Sequence, residues 1–504
     1  MREKYFIFSV LIIVVLFFSK TSSAQTYFDK EFGNDSSLTT LGASILAFSD
    51  TSSFLVIGAY PYLNTWYLKV IRLDINGDTI WTKSLGTYEY IQEPSLGKCI
   101  SIGDTNIVFV GNIASGTTDS SKVVLYKIDV NGNLLWEYYF GDSNKKNVGT
   151  DLQQTPDGGF IITGWTTGWG NTIYTSSFLL KVDASGNEQW HKIYGGGSGT
   201  NQRDAFSVDL TDDNGYIFSG SFYQGLATRQ DINVIKTDSL GNVIWNKIYG
   251  TAEDDGYGYI TKYGVTNDYI LASVIDIAPG NVLTDGQAYI TRLNGTDGSI
   301  VWADTFGIAD NVTYDGFSSN VIVLANGDIV GIGLTQVSSG GIDTWLVKYD
   351  GNGNMLWKRT FNKNGGNNHH YFWDVQPTFD KGFIICGDLT NLSLSEKNLW
   401  VLKLDSMGCE IANCSVGVEE SPQPPKGEFV VYPNPTNGIV TIQYDATTFT
   451  NSTFKLFDVM GKEMLNKKIE SNHTQLDISQ YPKGVYFYQT IHQKQQITGK
   501  LIIQ

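Results

Sequence analysis

The chain has 504 residues, 17% of them charged and 13% aromatic, with 54 Gly and a formal net charge of -16. So acidic a surface repels phosphate backbones, which argues against nucleic acid as a partner and favours cations or basic surfaces. At this length either two or three domains or one large repeat domain would fit.

Residues 1 to 24 have the three parts of a secretory signal: Arg2 and Lys4, an apolar stretch from Tyr5 to Phe18, and the small residues Ser22-Ser23-Ala24 before Gln25. Cleavage is expected after Ala24. No Cys stands at that point to accept a lipid, and no later run of about 20 apolar residues could span a bilayer. The mature chain is expected to be soluble, monomeric and free of transmembrane segments.

A unit of about 55 residues then recurs seven times. Its anchor is an Asp-x-x-Gly turn, a Trp, and an aromatic-Gly pair: Asp129/Gly132/Trp136/Phe140-Gly141, Asp183/Gly186/Trp190/Tyr194-Gly195 and Asp238/Gly241/Trp245/Tyr249-Gly250. Three looser copies end in Trp81/Leu85-Gly86, Trp302/Phe306-Gly307 and Trp357/Phe361-Asn362. After the seventh turn, Asp405 to Gly408, no Trp follows, yet Phe28 and Phe32-Gly33 near the N-terminus have the missing spacing. One strand has moved between the chain ends, which is economical only if the copies close into a ring and leave no free sheet edge.

Within the copy from Ala205 to Gly250, short runs with β character (Ala205 to Thr211, Tyr216 to Ser221) flank the hairpin signal Asp212-Asp213-Asn214-Gly215, and Asn233 to Thr237 and Val243 to Tyr249 flank the Asp238 turn. Asp caps such a turn and Gly three residues on takes positive φ, so neither residue needs a ligand. Four antiparallel strands per copy without helical periodicity predict an all-β chain, a seven-bladed β-propeller over residues 25–415. The recurring Trp is expected to pack against the next sheet. A cation stands two residues before every turn (Arg72, Lys127, Lys181, Lys236, Arg292, Lys348, Lys403). Strand alternation sets it on the face of the turn carboxylate, which predicts a solvent-exposed pair at the outer rim worth about 0 to 1 kcal/mol.

Loops entering each copy, and loops between its second and third strands, should share the face at the channel mouth. They carry the candidate ligand-binding residues Trp165, Trp169, Arg203, Asp204, Asp255, Asp315, His369, His370 and Trp373. Aromatics beside amides and carboxylates suit sugar or peptide binding, and packing of the loops on one another is the competing explanation. Asp204, Asp255 and Asp315 occupy similar places in three copies, which allows a cation near the channel or simple backbone capping. No metal is expected at His369-His370, because adjacent strand residues point to opposite faces and no third His is near in sequence. Asp129 to Asn133 and Asp350 to Asn354 have Gly at the fourth place instead of the sixth and lack a Glu at the twelfth, unlike a calcium loop.

No cofactor is expected either. Outside the signal only Arg72, Arg203, Arg229, Arg292 and Arg359 are present, too few and too scattered for a sialidase-like arginine cluster, and neither an adjacent Cys pair nor a Gly-x-Ser-x-Gly elbow occurs. A spatial pair of carboxylates that cleaves glycans remains open, as does a purely structural role. Of the four Cys, Cys409 and Cys414 are close enough to form a small disulfide loop, whereas Cys99 and Cys386 fall in non-adjacent copies and are expected as buried thiols.

Beyond Cys414 the composition changes. Ser421-Pro422-Gln423-Pro424-Pro425 marks a stiff linker, here taken as 416–428, and residues 429–504 carry seven Lys against five acids. Alternating strands with Asn-Pro and Asn-Gly turns predict a small β-sandwich. The segments Tyr432-Pro433-Asn434-Pro435-Thr436-Asn437-Gly438, Phe457 to Gly461-Lys462, Pro482-Lys483-Gly484-Val485-Tyr486 and Lys500-Leu501-Ile502-Ile503 come in the order of a known family. The tail closely resembles the C-terminal sorting domain of the type IX secretion system of Bacteroidota. That resemblance implies recognition by the secretion machinery, export across the outer membrane, removal of the tail, and release or anchoring at the cell surface. The repeats in turn look like the propellers often joined to such tails, and Leu293 to Trp302 is similar to the Trp-docking turns of quinoprotein propellers. The resulting expectation is a secreted or surface-displayed propeller that binds a surface glycan, a protein or a matrix component.

Overall fold

The computed structural model describes residues 26–503 apart from 34–40, 49–52, 63–64, 86–96, 104, 115–119, 170–174, 196–201, 224–229, 252, 265, 277–285, 308–313, 337–339, 364–367, 392–395, 412–428, 433–435, 437, 445–451, 459–461, 470–472 and 493–494. The signal segment, Cys414, the Pro-rich linker, Pro433, Asn434, Pro435 and Gly461 lie outside the described residues.

Every regular element among the described residues is a β-strand. After β1 (Phe28–Phe32) the strands fall in fours, each four an antiparallel meander. The first is β2 (Leu41–Phe48), β3 (Ser53–Tyr62), β4 (Thr65–Leu73) and β5 (Thr79–Leu85); the second is β6 (Cys99–Ile102), β7 (Asn106–Ala114), β8 (Ser121–Asp129) and β9 (Leu134–Phe140). Next come β10 (Asn147–Gln154), β11 (Phe160–Thr166), β12 (Ser176–Val182) and β13 (Glu188–Tyr194), then β14 (Gln202–Leu210), β15 (Tyr216–Tyr223), β16 (Gln230–Thr237) and β17 (Val243–Tyr249). They are followed by β18 (Tyr259–Tyr263), β19 (Asp268–Ile275), β20 (Gln287–Asn294) and β21 (Ile300–Phe306). The next meander is β22 (Tyr314–Val323), β23 (Ile329–Gln336), β24 (Ile342–Tyr349) and β25 (Met355–Phe361). Only three strands follow, β26 (His369–Pro377), β27 (Phe383–Asn391) and β28 (Glu396–Leu404). β1 pairs antiparallel with β28, Phe28 opposite Lys403 and Phe32 opposite Leu399. A single parallel bridge, Ile342 to His369, joins the last two of these sheets. Such a series of small twisted sheets is a propeller-like arrangement.

The Asp-x-x-Gly turns form as their residues dictate. Asp238 Oδ1 accepts the backbone N–H groups of Leu240 (2.9 Å) and Asn242 (2.8 Å), and Gly241 sits at φ +75°, where a side chain would be strained. The same glycine is also a packing surface. A Cβ on Gly241 would lie 3.1 Å from the Trp190 ring, and one on Gly132 would lie 2.8 Å from the Trp81 ring, so the outer-strand Trp of one sheet docks under the turn of the next. At Gly77 the ring underneath belongs to Phe28, 2.6 Å from such a Cβ. Phe28 thus does for the sheet of β2 to β5 what a Trp does elsewhere.

Apolar clusters fill the seams between consecutive sheets. Leu46, Ile57 and Val70 pack with Phe109, Val124 and Tyr126 across one seam, and Phe28, Leu399 and Val401 pack with Phe54, Val56 and Ile71 across another. Burial of apolar area at about 25 cal/mol per Å² makes these seams the main source of cohesion.

The recurring cation is not at the exposed rim. Lys181, Lys236 and Lys403 are buried, and their partners are carboxylates of the hairpin between the first and second strands: Asp157 (3.0 Å), Asp213 (3.1 Å) and Asp380 (2.9 Å). Arg292 with Asp268 and Lys348 with Asp328 repeat the arrangement. Two facts explain the departure. The turn carboxylate is already used up by its own backbone, and the register sets Lys236 opposite Ile217, just after the Asp212 to Gly215 hairpin. Lys236 Nζ also donates to Gly295 O of the following sheet (3.0 Å), so the cation ties two sheets together. Burial alone would raise Asp157, but the Thr155 hydroxyl, Lys181 and the Gly159 N–H hold its carboxyl at about 2.

In the tail, β29 (Phe429–Tyr432), β30 (Ile439–Tyr444) and β33 (His473–Asp477) form one sheet. A second comprises β31 (Ser452–Phe457), β32 (Glu463–Ile469), β34 (Gly484–His492) and β35 (Gln495–Ile503). Val440, Ile442, Phe454, Leu456, Leu476 and Leu501 form their shared core.

Candidate functional site

The first strand of each sheet lines a common space. A cavity of about 390 Å³ takes Leu46 from β2, Cys99 from β6, Asp151 from β10, Asp209 from β14, Ile260 from β18, Asn320 from β22 and Gln376 from β26. Its carboxylates, Asp151 and Asp209, serve the seams, as does the nearby Asp374. Asp151 accepts from its neighbour Leu152 N and from Val208 N of the next sheet, both at 2.9 Å. Asp209 likewise accepts from Leu210 N (2.7 Å) and Lys262 N (2.8 Å). Asp374 accepts from Val375 N (2.9 Å) and reaches across to Ile45 N (3.0 Å) and the Ser44 hydroxyl (2.6 Å). Burial raises all three, Asp151 to about 6, opposed chiefly by the Lys98 charge at Asp151 and Asp374 and by the backbone N–H bonds at Asp209. Lys98 Nζ itself donates to Asn320 Oδ1 (2.7 Å).

Aromatic side chains gather on and beside three of the same strands, β14, β18 and β26. The register of β14 slips between Ala205 and Ser207, and that of β26 between Phe372 and Asp374, so Phe206 and Trp373 are bulge residues outside the strand alternation. Phe206 packs on Tyr257 (ring centroids 4.6 Å) and lies 6.5 Å from Tyr259. The Tyr259 hydroxyl donates to Ser318 O (2.6 Å), and Ser319 Oγ donates to Trp373 O (2.5 Å). Trp373 in turn stacks on Tyr371 at 5.4 Å and 10°. The result is an arc, Phe206, Tyr257, Tyr259, Trp373 and Tyr371, drawn from three sheets and bridged by Ser318 and Ser319 of a fourth. Tyr257 is 43% exposed. Burial and the nearby Asp204 carboxylate push its hydroxyl up.

The predicted residues divide between this arc and the interior. Trp373 lies in the arc, and its Nε1 donates to Asp388 Oδ2 (2.6 Å). Asp204 borders the arc, and burial lifts its carboxyl to about 6, with the Thr175 hydroxyl opposing the shift. Arg203 is half-buried, its guanidinium 4.7 Å above the Phe222 ring and 3.3 Å from Asn233 Oδ1. Trp165 is half-buried on β11, opposite Val148 and Ser177.

The others, except the half-buried His369, face inward. Trp169, expected on an open loop, is buried, stacked on His191 (4.6 Å) and edge-on to Phe178. Asp255 is fully buried and accepts from Thr251 N (2.7 Å) and Asp276 N (3.1 Å); burial raises it to about 6 against those bonds. Asp315 is buried, accepts the Thr335 hydroxyl and has Lys358 Nζ at 3.6 Å. His370 is buried with Nδ1 2.8 Å from Ile342 O and Nε2 2.7 Å from Lys363 O, while His369 Nε2 lies 3.0 Å from Gly340 O. Among the described residues no group of three or more His, Cys, Asp or Glu is placed to hold a metal ion.

Cys99 and Cys386 are free and buried, and burial pushes both thiols up, whereas Cys409 is disulfide-bonded. Phe206, Tyr257, Tyr259 and Tyr371 had no place among the predicted residues. The Gly256-Tyr257-Gly258-Tyr259 run is a sequence signal for two of them, Tyr257 and Tyr259.

In the tail, Gly438 has φ +119° and its oxygen accepts from Ile478 N (2.7 Å). The buried Tyr486 donates its hydroxyl to Pro482 O (2.8 Å). Gly484 opens β34 opposite Ile503, Lys500 stands opposite Phe487, and Tyr432 ends β29 opposite Thr441.

Residues 430–504 match the family described as the secretion system C-terminal sorting domain. No curated protein matches the chain. Among solved structures, a protein of unknown function from Bacteroides caccae is 13% identical, with 62% of this chain and 95% of that one covered and a TM-score of 0.39. PorZ, an essential bacterial surface component of the type-IX secretion system of Porphyromonas gingivalis, is 9% identical over 90% of this chain and 68% of its own, at 0.31. The phage phi92 endosialidase is 9% identical over 94% and 87%, at 0.40. At these scores the likenesses say nothing of what this chain binds. No helix among the described residues is long and apolar enough to cross a membrane. The chain carries a type IX C-terminal sorting domain at residues 430–504, and it is a secreted or cell-surface protein.

Proposed function

We propose that residues 25–415 form a closed seven-bladed β-propeller that binds carbohydrate at the aromatic arc around its channel mouth. In this reading residues 1–24 are a cleaved signal, 416–428 a linker and 429–504 the domain that passes the protein to the type IX machinery. Closure is supported by the pairing of β1 with β28 and by Phe28 lying under Gly77. The observation that carries the binding function is the arc itself, because rings gathered in this way, two of them by strand bulges, offer the flat apolar faces that sugar rings stack on. The acidic charge of the chain makes a neutral polysaccharide a better fit than an anionic one.

The secreted protein should be retained by at least one insoluble or immobilised polysaccharide, and a Tyr257→Ala, Trp373→Ala double variant that keeps its unfolding midpoint should lose at least about tenfold in affinity. Unchanged retention would remove the arc from consideration. A glycan-cleaving role is less well supported, since Asp151 and Asp209 each accept two backbone N–H bonds and so act as ties between sheets. Incubation with the same polysaccharides should release no new reducing ends.

A further inference from the structure

Behind Tyr257 lies a set of polar atoms whose hydrogen bonding is incomplete. Asp204 Oδ1, Ser221 Oγ and Gln230 Nε2 are shielded from solvent and bonded to nothing among the described residues. The Thr175 hydroxyl is near enough to temper the Asp204 shift, but it too makes no well-formed hydrogen bond. Ser221 is fully buried and Gln230 is 7% exposed.

The three share one face of one sheet. Asp204 stands directly opposite Ser221, and Tyr223, two residues along β15, stands opposite Gln230. The Tyr223 hydroxyl is raised to about 12 by burial, with Tyr257 and Asp204 contributing, which puts the cluster next to the arc. A buried donor or acceptor left unpaired is costly, so three together mark a place built for something that hydrogen-bonds.

We propose that this cluster is a hydroxyl-binding subsite, in which one neutral sugar unit passes Tyr257 and hydrogen-bonds to Asp204, Ser221 and Gln230. The inference rests on the carbohydrate reading above and narrows it to a place and a chemistry. A sugar hydroxyl both donates and accepts: it can give its proton to the Asp204 carboxylate, take the Gln230 amide N–H, and do either with Ser221. An anionic ligand would meet Asp204 in low-dielectric surroundings and be repelled, and a hydrocarbon would leave all three atoms unpaired. Because the groups are unsatisfied in the free protein, their removal should not weaken the fold.

The test uses the secreted protein with cellobiose, maltose, lactose, mannobiose and chitobiose, followed by saturation-transfer NMR and calorimetry. At least one disaccharide is expected to bind the wild type, and Gln230→Leu and Asp204→Asn are each expected to weaken it at least about tenfold while the unfolding midpoint holds or rises. Binding that ignores both substitutions overturns the subsite, as does a wild type that binds no member of the panel. The polysaccharide experiment separates this from failure of the parent reading. Retention that depends on Tyr257 and Trp373, with disaccharide binding indifferent to Asp204 and Gln230, keeps the arc and removes the subsite; retention indifferent to Tyr257 and Trp373 removes the arc itself.

Discussion

Truncating Asp374 to Ala should loosen the seam between the last sheet and the first more than truncating Asp151 or Asp209 loosens theirs. Its two oxygens accept four hydrogen bonds: the Ser44 hydroxyl (2.6 Å), Ile45 N (3.0 Å), Asn320 Nδ2 (2.6 Å) and Val375 N (2.9 Å). Ser44 and Asn320 are buried, so the lost acceptor is poorly replaced. Each stranded donor costs about 1 to 3 kcal/mol. Relief from burying the carboxyl, whose proton affinity burial raises, offsets part of this, and a net loss of about 3 kcal/mol is expected. Urea unfolding followed by tryptophan fluorescence isolates the effect, because all 12 Trp precede the tail. Asp374→Asn, which keeps one acceptor and the side-chain volume, should lose roughly half as much. A stability for Asp374→Ala within about 0.5 kcal/mol of wild type would refute the argument that this residue joins the two sheets.

Other substitutions probe the same framework. Gly241→Ala forces a Cβ to within 3.1 Å of Trp190 at φ +75° and should cost at least about 1 kcal/mol by the same urea assay. Lys403→Met strands the fully buried Asp380 and should cost about 3 to 5 kcal/mol, whereas Lys30→Ala, which breaks an exposed pair with Asp78, should stay within about 0.5 kcal/mol. Equal effects would return the recurring cations to the rim. The carboxyls of Asp151 and Asp255, raised from 3.8 to about 6 by burial, hold their protons more tightly folded than unfolded. They oppose folding by about 2 to 3 kcal/mol each above pH 6, and that opposition fades as pH falls towards 3.8. The thermal midpoint should therefore be higher at pH 5 than at pH 8, with a smaller rise in Asp151→Asn. A midpoint that falls between pH 8 and pH 5 contradicts the burial of these groups.

The turn and the outer strand were legible because they are local: Asp caps its own backbone, Gly three residues on takes positive φ, and Trp follows at fixed spacing. The partner of Lys236 was not, because strand alternation tells which face a side chain takes and not which hairpin lies beside it in the sheet. The arc was half legible. Trp373 drew notice as a loop-proximal aromatic, but Phe206 lies within a predicted strand and reaches the arc only because a bulge moves it out of register. Trp169 and His370 misled for the opposite reason, since an aromatic near a strand end can fold back onto its own sheet, as Trp169 does onto His191 and Phe178.

The central claim is that the N-terminal strand completes the last sheet of a ring. Hydrogen exchange of the secreted protein measures this directly, through the amides of residues 28–32. If β1 is paired with β28, those amides should be protected on the timescale of Leu399 to Lys403, their partners in the register. Exchange of residues 28–32 at the rate of an unstructured chain, with Leu399 to Lys403 still protected, would contradict it.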